Sequence, residues 1–191
     1  MDVTLAAAAL LILSPVLLVL ALLIKLTSPG PALFIQQRPG RNGRLFPMLK
    51  FRTMHVHLED RTGFIQATDN DPRVTPLGRF LRRTSLDELP QLINILLGQM
   101  SLVGPRPHPV RMLAGGMDYE NLVSYYHQRL AIRPGLSGWA QVNGLRGPTT
   151  DAARAIARIE HDLAYIQNLS ILLDVRIILR TLVEVLRGSG C

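Results

Sequence analysis

The amino-acid sequence predicts an α+β fold: a mainly helical, membrane-associated domain with a small β-hairpin and an N-terminal membrane helix broken at Ser14-Pro15. Three observations predict it. From Val3 to Leu26 the chain is almost wholly apolar, with Lys25 its only charge. Two β-prone runs, Leu33 to Gln37 and Arg44 to Phe51, flank an Asn42-Gly43 hairpin signal. The tail from Ala152 to Gln167 and from Leu169 to Arg187 carries apolar residues at helical spacing.

A chain of 191 residues is long enough for one core and too short for two independent ones. It divides into residues 1–27, the membrane helix, and 28–191, a single body. The mean hydropathy of +0.21 coexists with a net charge of +7 and a pI near 10.5, a pairing that points to a membrane surface or a phosphate-bearing ligand. Only Lys25 and Lys50 of the 21 basic residues are lysines; arginine suits bidentate phosphate recognition, although a GC-rich genome produces the same bias. The single cysteine, Cys191, excludes an intrachain disulfide and a cysteine-based zinc site, and a reducing compartment fits.

The Val3 to Leu26 run would make a helix of roughly 36 Å, enough for a ~30 Å hydrocarbon core. No basic region precedes it and no cleavage site follows, so it is not a normal secretory signal. Pro15 removes a helix hydrogen bond and crowds the carbonyl of Leu11. Ser14 is placed to bond back to a freed carbonyl in the preceding turn. Each half would be roughly 17 Å long. Physics alone therefore accommodates both a kinked spanning helix and a re-entrant one that returns to the same face.

Ser28-Pro29-Gly30-Pro31 ends the apolar helix. Strand alternation at Lys50-Phe51-Arg52-Thr53 sets Lys50 and Arg52 on one face and Phe51 on the other. Met54 to Thr75, with Asp69-Asn70-Asp71-Pro72, reads as a polar loop, a candidate lid. Leu77 to Arg83 reads as a short basic amphipathic helix, equally a solvated arginine face or a headgroup contact. Ser85 with Glu88 resembles a capping box, whereas Pro90 favours a helix start nearer Asp87. Gly98 ends that helix, and Gly104-Pro105-Arg106-Pro107 presents an arginine between two prolines. In the tail, Leu172, Val175, Ile178, Leu179, Leu182 and Leu186 form a stripe suited either to the core or to a bilayer surface.

Asp87 and Glu88 at a helix start carry little by themselves, because acidic residues stabilise helix N-termini without catalytic duty. Lys50, Arg52 and Arg106 change that reading, since they bring cations from separate segments to an anion near a carboxylate pair. Phosphoryl transfer is the chemistry such a group suits. A carboxylate attacking phosphorus gives an aspartyl phosphate, splitting one exchange between a soluble donor and a lipid acceptor into two. Bare carboxylates repel a diphosphate, so a divalent ion is needed, and Mg2+ suits oxygen ligands from Asp87 and Glu88. The His55/His57 pair reads as a loop or strand-end feature. No Walker loop, GxGxxG or GxSxG elbow is present.

The ordered motifs resemble the bacterial sugar transferase family, the monotopic phosphoglycosyl transferases that start glycan assembly on polyprenyl phosphate. The match runs through Leu13-Ser14-Pro15, Ser28 to Pro31, Gln37 to Gly40, Lys50 to Met54, Asp71 to Thr75, Arg83 to Gln91, Ser101 to Pro107 and Arg133 to Gly144. The resemblance implies that Asp87 is the nucleophile, Glu88 its metal-linked partner, and Arg106 a nucleotide contact. It assigns phosphate contacts to Lys50 and Arg52 less directly. It also implies that Ser14-Pro15 breaks a re-entrant helix with both ends cytoplasmic, so that residues 28–191 form a catalytic domain with amphipathic interfacial helices on the cytoplasmic face of a bacterial inner membrane.

The implied reaction moves a sugar 1-phosphate from a UDP-sugar to undecaprenyl phosphate, with inner-membrane lipids as surroundings, no nucleic-acid partner, and a homo-oligomer compatible. Met1-Asp2 lacks the basic residues that usually precede the membrane helix, as in a small member or a trimmed chain. Asp69 and Leu169 replace a common basic residue and a common tryptophan. Arg146-Gly147 and Asp162 to Ile166 look closest to the hexose 1-phosphate branch of exopolysaccharide synthesis. Two other readings compete: a non-catalytic basic protein of the membrane surface, and a nucleotide-sugar hydrolase.

Overall fold

The computed structural model describes residues 1–58, 66–68 and 70–187. The expectations for Asp69 and Cys191, and part of the 54–75 loop, lie outside them. The first element, α1 (Asp2–Thr27), is a single helix that runs through Pro15 without the expected break, because only one helix hydrogen bond is lost there and a side chain replaces it. The Leu11 carbonyl, which Pro15 cannot serve, accepts the Ser14 hydroxyl at 2.9 Å, as the sequence anticipates.

Both halves of α1 lie on the body. Ala6, Ala9, Leu10 and Leu13 pack with Phe46, Met48, Leu92 and Ile95, and Leu17, Leu20, Ala21 and Ile24 pack with Phe51, Leu77 and Leu81. The opposite side is open, with Leu11 78 % and Leu26 73 % exposed. At the start of the helix the Asp2 carboxylate accepts the Ser101 hydroxyl at 2.6 Å.

The hairpin forms as predicted, β1 (Leu33–Pro39) antiparallel to β2 (Leu45–Phe51), with Leu33 opposite Phe51 and Pro39 opposite Leu45. Its turn puts Asn42 and Gly43 at φ of 57° and 74°, conformations that these two residue types tolerate. Helix α2 (Pro76–Arg83) starts under a Thr75 cap whose hydroxyl accepts the Gly78 N–H.

The next segment departs from expectation. Leu86–Glu88 is a 3-10 turn, and α3 (Gln91–Leu96) begins only after Pro90. The Ser85/Glu88 capping box does not form: Ser85 adopts a left-handed φ of 56° and makes no cap. The physical reason is the charge pairing of Glu88, described below, which leaves that side chain unable to reach back to the turn. Gly98 ends the helical segment at φ 71°.

Two further strand pairs are too short to carry periodicity, and no sequence signal announces either. Strand β3 (Ser101–Val103) runs parallel to β6 (Gly135–Ser137), and β4 (Leu113–Ala114) pairs with β5 (Met117–Asp118). Gly104 and Gly135 make the parallel pair possible, because a Cβ on Gly135 would lie 2.1 Å from the Gly104 nitrogen.

The single-turn helices α4 (Tyr119–Leu122) and α5 (Trp139–Val142) precede α6 (Ala152–Gln167), which has its predicted bounds, and α7 (Ile171–Leu186). Tyr119, Val123, Tyr126, Ala155 and Ile159 form a core under α6. The α7 stripe divides: Ile178 packs inward with Tyr165 and Ile177, whereas Leu172 and Leu179 are exposed.

Candidate active site

Strand β2 delivers Lys50, the 3-10 turn delivers Asp87 and Glu88, and the loop after β3 delivers Arg106. Asn94 locks the first two together. Fully buried in α3, it accepts the Leu49 N–H at 3.0 Å and donates to the Pro47 carbonyl at 2.8 Å. A buried amide that satisfies strand backbone is a rigid tie.

Glu88 is held from two sides. Lys50 Nζ donates to Oε1 at 2.7 Å. The Arg106 guanidinium grips both carboxylate oxygens, with Nη1 donating to Oε2 at 3.2 Å and Nη2 to Oε1. Burial pushes the Glu88 carboxyl up, but the charges and hydrogen bonds of Arg106 and Lys50 outweigh it and hold the group well below the usual carboxylate range.

Asp87 has the opposite environment. It is 8 % exposed, and among the described residues no hydrogen bond or ion pair engages its carboxylate. Burial is the main reason that its pKa rises to about 6; Lys50 opposes the rise, and the negative charge of Glu88 adds to it. Adjacent acids thus divide into a clamped anion and an unclamped, desolvated carboxylate.

Arg52 does not join them. It is 3 % exposed and donates to the carbonyls of Ser28 at 2.8 Å and Pro29 at 2.6 Å and to the Ser28 hydroxyl at 2.8 Å. Carbonyls at a helix C-terminus lack intrahelical donors and carry partial negative charge, so the guanidinium is drawn to the end of α1. Gly30, at φ 118°, leaves room for it, since a Cβ there would lie 2.2 Å from Arg52 Nη1. Ser14 and Pro15 stand in α1 and reach none of the site residues through the contacts above.

The residues behind Arg106 have no role at the site that the sequence alone announces, although Arg38 and Asp162 fall in segments that resemble the family. Arg129 and Asp162 form a buried ion pair, with Nε donating to Oδ2 at 2.9 Å. Arg38 donates to the Pro107 carbonyl at 3.0 Å. His108, fully buried, sets Nδ1 3.3 Å from the Tyr126 hydroxyl. Burial and the surrounding arginines Arg129, Arg158, Arg38 and Arg106 hold the imidazole well below its usual pKa.

The bacterial sugar transferase family matches residues 1–188. The chain belongs to that family. An exopolysaccharide production protein of Rhizobium leguminosarum bv. phaseoli is 56 % identical over 99 % of this chain and 95 % of its own length. UDP-glucose:undecaprenyl-phosphate glucose-1-phosphate transferases of Xanthomonas campestris pv. campestris and Escherichia coli K12 are 50 % and 49 % identical over 97 % and 94 % of this chain. The chain spans 38 % of the length of each of these two. Chemically, an unclamped carboxylate beside a cation-clamped one is an arrangement that can attack an electrophile within an electrostatic frame.

Proposed function

We propose that this sugar transferase moves a hexose 1-phosphate from a UDP-sugar to undecaprenyl phosphate through a covalent intermediate on Asp87, as the first membrane step of exopolysaccharide or glycan assembly. The observation that carries this reading is the contrast between Asp87, unclamped and desolvated, and Glu88, clamped by Lys50 and Arg106.

An Asp87 oxygen attacks the phosphorus that bears the sugar, and the diphosphate P–O bond breaks to release UMP. An oxygen of the lipid phosphate then attacks the same phosphorus, restoring the carboxylate and giving the lipid diphosphate sugar. A buried, unsolvated carboxylate is the better nucleophile once ionised, because no hydrogen bond must be broken for it to react. Arg106 and Lys50, already gathered on Glu88, would offset the donor's diphosphate charge.

Two adjacent carboxylates with substrate phosphates nearby fit Mg2+, a hard cation usually held by one or two carboxylates and by phosphate oxygens. Asp87 and Glu88 would hold it, and it would neutralise charge on the donor diphosphate. Helix α1 is read as re-entrant at the cytoplasmic face of the inner membrane. Its support is that Asp2 is tied to Ser101 while Ser28 is tied to Arg52, and that both halves pack on one body while an apolar side faces out.

The test is incubation with UDP-glucose and magnesium without acceptor, followed by intact-protein mass spectrometry and peptide mapping. A hexose phosphate adduct on Asp87 with about one equivalent of UMP, discharged by undecaprenyl phosphate, is the expected result. Sugar phosphate released to water at the full rate would make it a hydrolase, and an adduct on another residue would remove Asp87.

A further inference from the structure

The segment Pro105-Arg106-Pro107 cannot hold itself in place. Two of its three residues have no N–H, so its backbone polarity is mostly three carbonyls in a row. Each takes a donor from a different part of the chain. Pro105 O accepts the Gly135 N–H at 3.0 Å, Arg106 O accepts Arg129 Nη2, and Pro107 O accepts Arg38 Nη1 at 3.0 Å. Two guanidinium groups thus grip neighbouring carbonyls of the loop whose own arginine grips Glu88.

Each of the two is itself anchored. Asp162 fixes Arg129 through Nε and Nη2, with both side chains about 1–2 % exposed, and the Tyr126 ring lies 5.4 Å from its guanidinium carbon. Arg38 is held through its other terminal nitrogen, Nη2, which donates to Gln36 Oε1. Arg38 and Arg106 are close enough for their charges to repel, and Glu88 offsets that repulsion. A cation placed beside another at some cost needs a reason, and the carbonyl contact supplies one.

We propose that Arg38 and Arg129 are positioning residues: by fastening the Pro107 and Arg106 carbonyls they fix the aim of the Arg106 guanidinium at Glu88 and at the donor's phosphates. This deepens the reading above and rests on it. Neither residue needs to touch substrate, and their effect passes through Arg106. A charged donor to a fixed carbonyl is worth roughly ten-fold or more in binding, so loosening the loop raises the donor KM by about that factor and changes kcat less.

The experiment is a double-mutant cycle on donor kinetics at saturating undecaprenyl phosphate, using Arg38→Gln, Arg106→Ala and their combination. The expected result is a donor KM raised about ten-fold by Arg38→Gln, partly restored in Arg38→Lys, and a further change under about two-fold when Arg38→Gln is added to Arg106→Ala. Removing Arg129 alone would strand a buried carboxylate, so Arg129→Met with Asp162→Leu keeps the pocket filled and neutral. That pair should show the same dependence on Arg106.

Effects that multiply fully with Arg106→Ala overturn the proposal, as does an unchanged donor KM in variants that melt like the parent protein. A parent protein that releases no UMP from UDP-sugars fails the underlying reading. Unaltered donor kinetics in Arg106→Ala alone remove Arg106 from the site, and the positioning role with it.

Discussion

The Lys50 ammonium donates to Glu88 Oε1 at 2.7 Å, whereas the neighbouring Asp87 carboxylate takes no such partner among the described residues. The choice of partner decides which of two adjacent acids is clamped and which is left unclamped. Arg106 completes the clamp from the opposite loop, so three segments distant in sequence share one anionic centre.

Arg106 and Arg52 should therefore give different phenotypes on substitution. Arg106→Ala loses a bidentate charged contact, worth about 1.5–3 kcal/mol or roughly ten- to a hundred-fold in donor kcat/KM. Arg52→Ala uncaps α1 and should lower the melting temperature while leaving the donor KM within about two-fold, since its bonds end on Ser28 and Pro29. Steady-state kinetics beside a thermal melt separates the two, and a raised donor KM in Arg52→Ala would return that residue to the site.

The pH dependence follows from Asp87. Its carboxyl is raised to about 6 by burial, and in the proposed mechanism only the ionised form attacks phosphorus. Donor kcat/KM should fall as pH drops through about 6 with a slope approaching one decade per unit, because that parameter reports the free enzyme. Bound magnesium would draw the midpoint lower. A flat profile between pH 5 and pH 7 (roughly one unit either side of the shifted value) would show that a desolvated Asp87 does not limit the reaction.

The same shift predicts a gain in stability on removing the Asp87 carboxyl. A carboxyl whose folded pKa lies above its unfolded value favours the folded state when protonated and costs stability as pH rises from about 4 to about 6. Above that window the cost is about 3 kcal/mol, two pKa units at about 1.4 each. Asp87→Asn, measured in chelator without donor, should melt higher than the parent at pH 7.5, and the difference should shrink toward pH 4. A variant less stable at pH 7.5 would contradict the burial argument.

Much of this arrangement was legible in the residues, and the rest was hidden for identifiable reasons. Asn42-Gly43 announces its hairpin because the turn needs positive φ at two positions, and α6 carries a full apolar stripe between Asp151 and Asn168. Strands β3 and β6 are three residues each and pair across the sequence, so no period betrays them. Arg129 and Asp162 meet only because α6 packs over a second 3-10 segment, Tyr126–Ala131, that holds Arg129. Strand alternation placed Arg52 beside Lys50, yet β2 ends at Phe51; beyond it the open C-terminus of α1 decides where the guanidinium goes.

Close backbone approach makes a sharper test of the β3 and β6 pair. Gly135→Ala would set its Cβ 2.1 Å from the Gly104 nitrogen and 2.4 Å from the Ser137 carbonyl oxygen, neither of which can swing aside. The pair must separate, and the Gly135 N–H that fastens Pro105 moves with it. The variant should lose several kcal/mol of stability or fail to accumulate. Ser85→Gly, by contrast, should be tolerated, since glycine adopts the left-handed φ of 56° found there. Ser85→Val should cost about 1–2 kcal/mol; equal stability of the two Ser85 variants would show that the turn before Asp87 is not strained.

The membrane topology turns on one hydrogen bond and two tethers. Pro15 leaves the Leu11 carbonyl to the Ser14 hydroxyl, while Asp2 and Ser28 are each fastened to the same body. On the re-entrant reading, a helix held so at both ends keeps its start on the same side as the body. With Cys191 replaced by serine, a cysteine added ahead of Met1 and another at Arg41 in the exposed hairpin turn should both resist an impermeant maleimide in intact cells and react after permeabilisation. Ser14→Ala with Pro15→Leu restores the missing N–H and removes the ring that crowds Leu11, leaving a proline-free apolar helix of roughly 36 Å, long enough to span. That variant should pull the N-terminal cysteine across and label it from outside, while Arg41 stays protected. Labelling of the N-terminal cysteine in intact cells without the substitutions would establish a spanning helix and remove the re-entrant reading.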